Sequence, residues 1–333
     1  NMKHLGDVTK IKGDEIEPVD IITFGSPCFP AGTLVNTKRG LIPIEQVKIT
    51  DKVFTHKGRY RQVLNAQYTG TKKLLRLHTM GVKHIDATPN HLFYVKEDKN
   101  SEPVWKPLSE LQPKNYIGSP LNTELENPLN LTEEESYLLG RYIADGYLRK
   151  GQRPNRPQGS MFSTVVFCIG HGKEAQFEER IKTLKFGKSK TTKNVTKYTI
   201  SDHRLFHLCE ECGVLAENKQ FPQFLIDTDV NLLMAAFNGY MDGDGSFLPI
   251  GIYSTTTISE KLAYTFAAVV EKLFRVSSRV YFYKSKETTV IEGRTVSQQP
   301  QWIVRFKLDA NPKDRGFYDD GYVWYPIRYI EPL

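Results

Sequence analysis

The chain has 333 residues, of which 39% are hydrophobic and 25% charged, and its formal net charge at pH 7 is +7. This composition is typical of a globular protein with two or three domains, and it excludes a membrane-spanning chain because no apolar run is long enough to cross a bilayer. Four cysteines are too few for a disulfide scaffold and predict a reducing compartment, the cytoplasm of a prokaryote or phage host. The positive charge permits a nucleic acid as partner.

The chain opens with a short apolar segment that ends in a turn. Residues 19–24, VDIITF, have the continuous apolar character of a central parallel strand, and GSP follows at its carboxyl end. The N-terminus carries no signal-peptide pattern and does not begin with Met, so we interpret the chain as an excerpt from a longer reading frame. Residues 1–27 form the first predicted unit.

Residues 28–124 predict an all-β unit. Short β-rich runs such as TLVNT, KVFTH, LLRLHT and HLFYV alternate there with turn residues. The segment LNTELENPLNLTEEE then predicts a linker into a helix, with Thr132 as N-cap and Glu135 at the capping-box position.

From residue 131 to residue 310 the pattern becomes α+β, and it occurs twice. Each copy opens with a helix that ends in Asp-Gly, namely LLGRYIADGYL from Leu138 and FNGYMDGDGSF from Phe237. Strand-like runs, another helix and further strands follow in each copy, which predicts two similar halves around a pseudo-twofold axis. Residues 313–333 return to a β-like, aromatic pattern, YVWYPIRYI.

A cluster of cysteine and histidine in HRLFHLCEEC superficially suggests a zinc site. Cys209 and Cys212 share one helix face with Leu205, whereas His203 and His207 stand nearby. Because buried free cysteines are common, core positions of an amphipathic helix are the better interpretation.

The two Asp-Gly helices carry small residues one turn apart. Gly140 and Ala144 form one such pair, and Gly239 and Gly243 form the other. A stripe of small residues lets two helix backbones approach closely, so we expect these helices to pack side by side.

Such packing brings two carboxylates together. Asp145 and Asp244 lie in the last turns of the two helices, where a negative charge opposes the helix dipole and each acid repels the other. The arrangement needs a cation, and oxygen ligands with open positions suit Mg²⁺. A divalent metal beside paired acids predicts hydrolysis of a phosphodiester.

A basic stretch beside the acid pair supports a polyanionic substrate. Residues 141–200 contain 13 Lys or Arg against 4 Asp or Glu, concentrated in KTLKFGKSKTTKNVTK. A solvated basic face is the alternative, and the nearby acid pair makes phosphate binding the better interpretation. The candidate DNA-binding residues are Lys185, Lys188, Lys190, Lys193, Lys197 and Arg279.

The two Asp-Gly motifs resemble those of a monomeric LAGLIDADG homing endonuclease over residues 125–312. The resemblance implies a duplicated αββαββ fold, with halves at about 131–218 and 225–310, whose sheets form a saddle on double-stranded DNA. It also implies that Asp145 and Asp244 are the catalytic acids that bind Mg²⁺, and that Gly146 and Gly245 close the helices.

The same resemblance implies a basic residue near the metals in a late strand of each half. Lys197 is the candidate in the first half, and Lys284 or Lys307 in the second. Arg141 and Asn238 occupy motif positions that are apolar or small in the family, and we expect both at the outer face of their helices.

The segment from Cys28, CFPAGTLV, followed by RGLIPIEQVKITDKVFT, resembles the start of an intein, the self-splicing Hint-type domain. DATPNH, residues 86–91, resembles that family's Thr-x-x-His block. An endonuclease nested after these blocks is the usual composition of a large intein. The resemblance therefore implies an all-β Hint horseshoe, residues 28–124 with a C-terminal continuation at 313–333, interrupted by the endonuclease.

The chemistry of an intein needs these residue types. The thiol of Cys28 can attack the carbonyl carbon of Pro27 in an N-to-S acyl shift, which makes Pro27–Cys28 the scissile bond. His91 would bond and protonate the leaving nitrogen, and Thr88, with the Asn90 region, would hold the amide or its oxyanion. Taken singly, the cysteine fits a packed core residue and TPNH fits a turn between strands.

The first 27 residues resemble the part of a cytosine-5 DNA methyltransferase that ends in its Pro-Cys motif. That motif normally continues with Gln, and here Phe29 follows, which indicates an intein inserted in the host enzyme's nucleophile loop. The terminal His-Asn of inteins does not occur by Leu333, so either the sequence stops short of it or a separate C-terminal split-intein fragment supplies it. In the alternative function, splicing is the sole activity and the endonuclease fold is an inactive DNA-binding or structural insert.

Overall fold

The computed structural model describes residues 27–333, except 82–83, 124, 153–160, 193, 285–287, 292–293, 298 and 310–315. The strand predicted at 19–24 lies outside the described residues. Within the described part, the chain has a mixed α/β architecture built on several antiparallel sheets. The horseshoe shape of the β unit stays a prediction.

The part of the chain before the first helix is built from short strands. Their bounds are Leu34–Thr37 (β1), Gly40–Pro43 (β2), Lys52–Phe54 (β3), Tyr60–Gln62 (β4), Leu75–Thr79 (β5), Ile85–Ala87 (β6), Leu92–Lys96 (β7), Val104–Pro107 (β8) and Tyr116–Pro120 (β9). The first four form a sheet in the order β2-β1-β3-β4.

The end of the chain completes a second sheet of this unit. Phe317–Asp319 (β20) pairs with the long strand Tyr322–Pro332 (β21), which pairs with β9 through its first half and with β5 through its second. The resulting seven-stranded sheet has the order β6-β5-β21-β9-β7-β8, with β20 on β21. Leu77, Val95, Ile117 and Tyr325 are buried in its core, so the C-terminal strand packs within the β unit.

The middle of the chain contains the same order of elements twice. The first copy comprises Glu133–Asp145 (α1), Gly146–Gln152 (β10), Met161–Gly170 (β11), Glu174–Arg180 (α2), Phe186–Thr192 (β12), Val195–Ile200 (β13) and His203–Glu211 (α3). After Gln223–Ile226 (α4), the second comprises Val230–Asp244 (α5), Ser246–Leu248 (β14), Ile252–Thr257 (β15), Glu260–Phe274 (α6), Arg279–Tyr283 (β16), Thr288–Ile291 (β17), Arg294–Ser297 (β18) and Gln301–Phe306 (β19).

The strand orders confirm the internal duplication. The two sheets run β10-β11-β13-β12 and β14-β15-β19-β16, so corresponding strands hold corresponding places. The second copy differs by the β17–β18 hairpin, which is inserted before its last strand, and no helix corresponding to α3 follows that strand among the described residues. One hydrophobic core joins the two copies through buried residues of α1, α5 and both sheets.

Side-chain caps fix where the principal helices begin. The Thr132 hydroxyl accepts a hydrogen bond from Glu135 N at 3.1 Å, and the Glu135 carboxylate accepts one from Thr132 N at 2.9 Å, which confirms the predicted capping box. The side chains of Asp229 and Ser259 cap α5 and α6 by accepting hydrogen bonds from backbone N–H groups of the first helical turn. No helix in the described ranges has the length and apolar character needed to cross a membrane.

Candidate functional site

The two Asp-Gly helices touch through their backbones. A Cβ added to Gly140 would lie 1.8 Å from Ala236 O, and one added to Gly239 would lie 2.1 Å from Tyr137 O. No real side chain fits at such distances, so the glycines are what allow α1 and α5 to cross in contact. The predicted close approach of the two helices is confirmed.

This crossing brings Asp145 and Asp244, the last residues of α1 and α5, to one place. A Cβ on Gly243 would lie 3.0 Å from Asp145 Oδ2, so the first carboxylate faces the residue just before the second. Burial and, to a smaller extent, the charge of Asp145 together raise the pKa of Asp244 to about 7, while Arg141 and Lys219 oppose the rise. Burial likewise raises the pKa of Asp145, against the charge of Arg141.

The acid pair fits a divalent cation by its donor chemistry. Burial raises the pKa of both carboxyls, and the charge of Asp145 adds to the rise for Asp244, so a cation bound beside them would favour both ionised forms. Among the described residues, no group of three or more His, Cys, Asp or Glu side chains could hold a metal ion. An ion at the acid pair would therefore need further oxygen ligands from phosphate and water.

Gly146 and Gly245 close the two helices, but their conformation differs from that of a usual glycine C-cap. Their φ angles are −93° and −73°, which any residue can adopt. Glycine is required by space instead, since a Cβ on Gly146 would lie 2.5 Å from the Tyr142 ring and one on Gly245 would lie 2.4 Å from Met241 O.

Arg141 is not at the outer face, and that prediction was wrong. Its side chain is only 3% exposed, and its Nη2 atom lies 2.7 Å from Asp145 Oδ2. The guanidinium fits inside the helix pair because Gly243 opposite has no side chain: a Cβ there would lie 2.4 Å from Arg141 Nη1. Asn238 is half-buried.

Lys197 lies near the acid pair. In β13 it stands opposite Cys168 of β11. Burial raises the pKa of the Cys168 thiol, while the charge of Lys197 lowers it and that of Asp145 adds to the rise. The structure therefore brings the first candidate lysine into the neighbourhood of the first acid.

The two candidate lysines of the second half do not occupy the equivalent place. In the first copy, Tyr147 follows the cap glycine and pairs with Val166, which pairs with Thr199. In the second copy, Ser246 follows the cap glycine and pairs with Ser254, which pairs with Arg305. Arg305 is therefore the counterpart of Thr199. Ile303 is then the counterpart of Lys197. Lys284 lies exposed beyond β16, and Lys307 lies half-buried beyond β19.

A buried lysine near the second acid was missed by the sequence analysis. Lys219 is 6% exposed, and its ammonium donates to Tyr142 O at 2.8 Å and to Gly146 O at 3.1 Å. Burial lowers its pKa to about 8, while the charge of Asp244 favours the protonated form. Its position in a connecting loop gives no sequence signal that it binds carbonyls at the end of α1.

One face of each sheet points away from the hydrophobic core and carries basic and aromatic residues. Side chains alternate across a strand, so Lys197 points away from the core face that holds Tyr198. By the same alternation Arg279 and Arg305, which are paired across β16 and β19, point away from the face of Val304. The sequence analysis missed the further members Tyr147, Arg149, Arg305 and Tyr281.

The predicted DNA-binding role of Lys188 is contradicted by the strand register. Lys188 stands opposite Tyr198, on the face covered by α2, and its ammonium bonds Glu178 at 2.7 Å. Lys185 is exposed before β12. The side chains of Lys190 and Lys193 lie outside the described part of the chain.

The cysteine junction forms a second site in the β unit. Cys28 N donates to Thr88 Oγ1 at 3.0 Å, and Thr88 N donates to Cys28 O at 3.0 Å. Cys28 Sγ lies 3.0 Å from the hydroxyl of Thr69, a residue that the sequence analysis missed. Thr88 of the Thr-x-x-His segment thus holds the backbone of Cys28. The bond between Cys28 and the exposed Pro27 is the predicted scissile bond.

His91 lies in the same site, but Thr88 takes the hydrogen bond from Cys28 N that the sequence analysis gave to the imidazole. The backbone N of His91 donates to Thr88 O at 3.0 Å, and its ring packs on Phe29 with centroids 4.1 Å apart. Within the described residues, buried Nδ1 has no hydrogen-bond partner. Burial lowers the pKa of His91, which keeps the imidazole neutral at neutral pH.

Cys209 of α3 and Cys212, the C-cap of that helix, are core residues, as predicted. Cys209 and Cys212 are fully buried, and burial raises the pKa of both thiols. His203 and His207 lie exposed at the surface of the same helix.

No protein-family model matches the chain. Among curated proteins, the chain is similar to part of a DNA polymerase from Thermococcus kodakarensis, with 33% identity over 161 residues, 47% of this chain and 9% of the polymerase. A DNA polymerase from Thermococcus sp. strain GE8 is 29% identical over 192 residues, 57% of this chain and 11% of the polymerase. The replicative DNA helicase DnaB of Rhodothermus marinus is 32% identical over 130 residues, 36% of this chain and 13% of the helicase.

The chain thus spans about a tenth of the length of these relatives. Solved structures with some likeness include the homing endonuclease I-DmoI in complex with DNA and Ca, with 12% identity, a TM-score of 0.36, and 52% of this chain and 82% of that chain covered. I-SmaMI bound to uncleaved DNA target has 10% identity, a TM-score of 0.33, and 53% and 79% coverage. Because both TM-scores are below 0.5, this likeness does not by itself establish the fold or the activity of the chain.

Proposed function

We propose that the chain is an intein-type self-processing element that carries a LAGLIDADG homing endonuclease. The observation that carries the proposal is the pair of aspartates at the ends of two glycine-packed helices, in a chain whose β unit holds Cys28 against the Thr-x-x-His segment. The chain matches only about a tenth of a DNA polymerase and of a DNA helicase, which supports an inserted element shared between different host proteins.

In the endonuclease, Asp145 and Asp244 would hold Mg²⁺, which when bound polarises the scissile phosphate, activates water and stabilises the leaving oxygen. The rest of the chain would bind and orient double-stranded DNA. The sheet faces that point away from the core offer Lys197, Arg279 and Arg305 to phosphates, and aromatic side chains such as Tyr281 lie among them. The protein would act as a monomer, because one chain supplies both acids.

In self-processing, Cys28 Sγ would attack the carbonyl carbon of Pro27. A C–S bond forms and the C–N bond breaks, so the proton lost by the thiol is matched by the proton gained by Cys28 N. Thr88 orients that nitrogen through its 3.0 Å hydrogen bond, which supports a positioning role for the hydroxyl. Neutral His91 is available to carry a proton to the nitrogen as its C–N bond breaks. Complete splicing would take place when a C-terminal segment is supplied.

The host would be a cytosine-5 DNA methyltransferase, and the DNA target the uninterrupted allele of its gene in the cytoplasm. This part of the proposal rests on the Pro-Cys motif that ends the first 27 residues. The relatives reported above are polymerases and a helicase, so the methyltransferase host has its support in sequence alone.

The endonuclease is tested with duplex DNA in which the host coding sequence is joined across the insertion point. We expect Mg²⁺-dependent double-strand cleavage by the full chain, and loss of at least about 10³-fold in rate in Asp145→Asn and Asp244→Asn, since each removes one charged ligand. Asp309→Asn is the control, because Asp309 is an exposed carboxyl away from the acid pair. Equal rates in all four proteins would refute the assigned role.

A second candidate function is splicing alone, with the endonuclease fold kept as an inactive insert. The observation that favours it is the buried Arg141, which already pairs with Asp145. Absence of any Mg²⁺-dependent cleavage by the unmutated, folded chain would select this function.

A further inference from the structure

We propose that Arg141 is an internal cation of the acid pair, which compensates Asp145 and Asp244 in the metal-free protein, so that a divalent ion must compete with it. The proposal rests on the proposed function insofar as it concerns the same two acids. It assigns to Arg141 a positioning and charge-compensating role that the motif does not normally include.

The first support is the position of the guanidinium. Arg141 is 3% exposed, and Nη2 lies 2.7 Å from Asp145 Oδ2, one helical turn along α1. Arginine stays protonated at any physiological pH, so a full positive charge is buried beside the first acid. Burying that charge is costly unless a carboxylate compensates it.

The second support is the contact with α5. A Cβ on Gly243 would lie 2.4 Å from Arg141 Nη1, so the guanidinium packs against the backbone one residue before Asp244. Buried Nη1 makes no hydrogen bond to any residue that the structure describes. An arginine held only to stabilise its own helix would not need to reach across the helix pair.

The third support is electrostatic asymmetry. Tyr240 occupies in α5 the motif position that Arg141 occupies in α1, so a single guanidinium serves two acids. A divalent cation that enters this site meets a fixed positive charge, and the repulsion lowers its affinity.

The test measures Ca²⁺ binding to the full chain without DNA, by calorimetric titration, and compares unfolding temperatures in EDTA and in Ca²⁺. Arg141→Met keeps an unbranched apolar stem and removes the guanidinium with its charge. We expect it to bind Ca²⁺ about tenfold more tightly than the unmutated chain, to unfold at lower temperature in EDTA, and to recover that loss in Ca²⁺.

Two matched variants isolate the cause. Arg59→Met removes a charge from the exposed turn between β3 and β4 of the β unit and is expected to leave Ca²⁺ affinity unchanged. Arg141→Met combined with Asp244→Asn is expected to lose the gain, because the gain requires both acids. Arg141→Lys, which keeps one charge, is expected to bind Ca²⁺ with intermediate affinity.

A folded Arg141→Met or Arg141→Lys variant that binds Ca²⁺ no more tightly than the unmutated chain overturns the proposal. The result is independent of catalysis, because neither readout involves DNA. A chain that fails to cleave DNA but gains Ca²⁺ affinity in Arg141→Met would refute the endonuclease function and support the role of Arg141.

Discussion

Glu271 is a buried carboxyl at the contact between the duplicated part of the chain and the β unit. It lies in α6, accepts a hydrogen bond from the hydroxyl of Tyr325 in β21, and accepts another from Ser278 at 3.3 Å. Burial raises its pKa to about 7, although both hydrogen bonds favour the ionised form. The proton on this one group therefore affects how the two parts of the molecule hold together.

The free energy of unfolding should depend on pH through Glu271. The folded pKa exceeds the unfolded value of 4.5, so between about pH 4.5 and 7 the folded state keeps a proton that the unfolded state releases. Stability contributed by this proton is present below pH 4.5 and falls as pH rises through 7, by about 3 kcal/mol in total. Urea unfolding of Glu271→Gln at pH 5 and pH 8 should show a smaller decrease with pH than that of the unmutated chain.

Glu110→Gln serves as the control for that measurement, because Glu110 is exposed in the β unit. We expect it to keep the pH dependence of the unmutated chain. Equal pH dependence in the Glu271 and Glu110 variants would show that Glu271 does not titrate in this window.

Single residues also show where sequence reasoning fails. Arg141 was placed outside its helix because the motif alone does not reveal that Gly243 opposite leaves room for a guanidinium. Lys219 was missed because a loop lysine gives no periodic signal, yet tertiary contacts bury it at the end of α1. Both failures concern contacts between segments distant in sequence.

At the scale of elements, the helix pair determines the geometry of the acid pair. Gly140 has no space for a methyl group, since its Cβ would lie 1.8 Å from Ala236 O. Gly140→Ala should force α1 and α5 apart and lower the free energy of unfolding by about 2–3 kcal/mol. We expect DNA cleavage to be slower as well, because the two acids would be displaced from each other. Thermal or urea unfolding, together with the cleavage assay, measures both losses.

Gly170→Ala is the matched control for the helix pair. Gly170 ends β11, and a Cβ there meets no atom within 4 Å. We expect this variant to fold and cleave like the unmutated chain. If Gly140→Ala were equally harmless, backbone contact between the two helices would not be what sets the acid pair.

The helices were easier to predict than the faces of the strands. The capping box at Thr132 and the glycine stripes are local or periodic patterns, and the structure confirms them. Lys188 was assigned to DNA although it faces α2, because a run of lysines does not reveal which alternate residues point toward the core. Register must be known before a strand residue can be assigned to a face.

At the scale of the whole molecule, the chain leaves the β unit for the duplicated part and then returns to it. β21 lies between β5 and β9, strands that precede it by more than two hundred residues in sequence. The β-like pattern of residues 313–333 indicated a return to strand structure, but pattern alone could not give the pairing partners. The contact between Thr69 and the Cys28 thiol depends on the same long-range folding and had no sequence signal.

The measurement that tests the account most directly is the mass of the full chain after incubation with a thiol reagent, because both candidate functions require self-processing at Cys28. Thiol attack on the thioester formed from Pro27 should release residues 1–27 and leave a fragment that begins with Cys28. Cys28→Ala should stay intact, whereas Cys168→Ala, which alters a half-buried cysteine of β11, should cleave like the unmutated chain. An unchanged mass in a chain shown to be folded, or cleavage that persists in Cys28→Ala, would contradict the account.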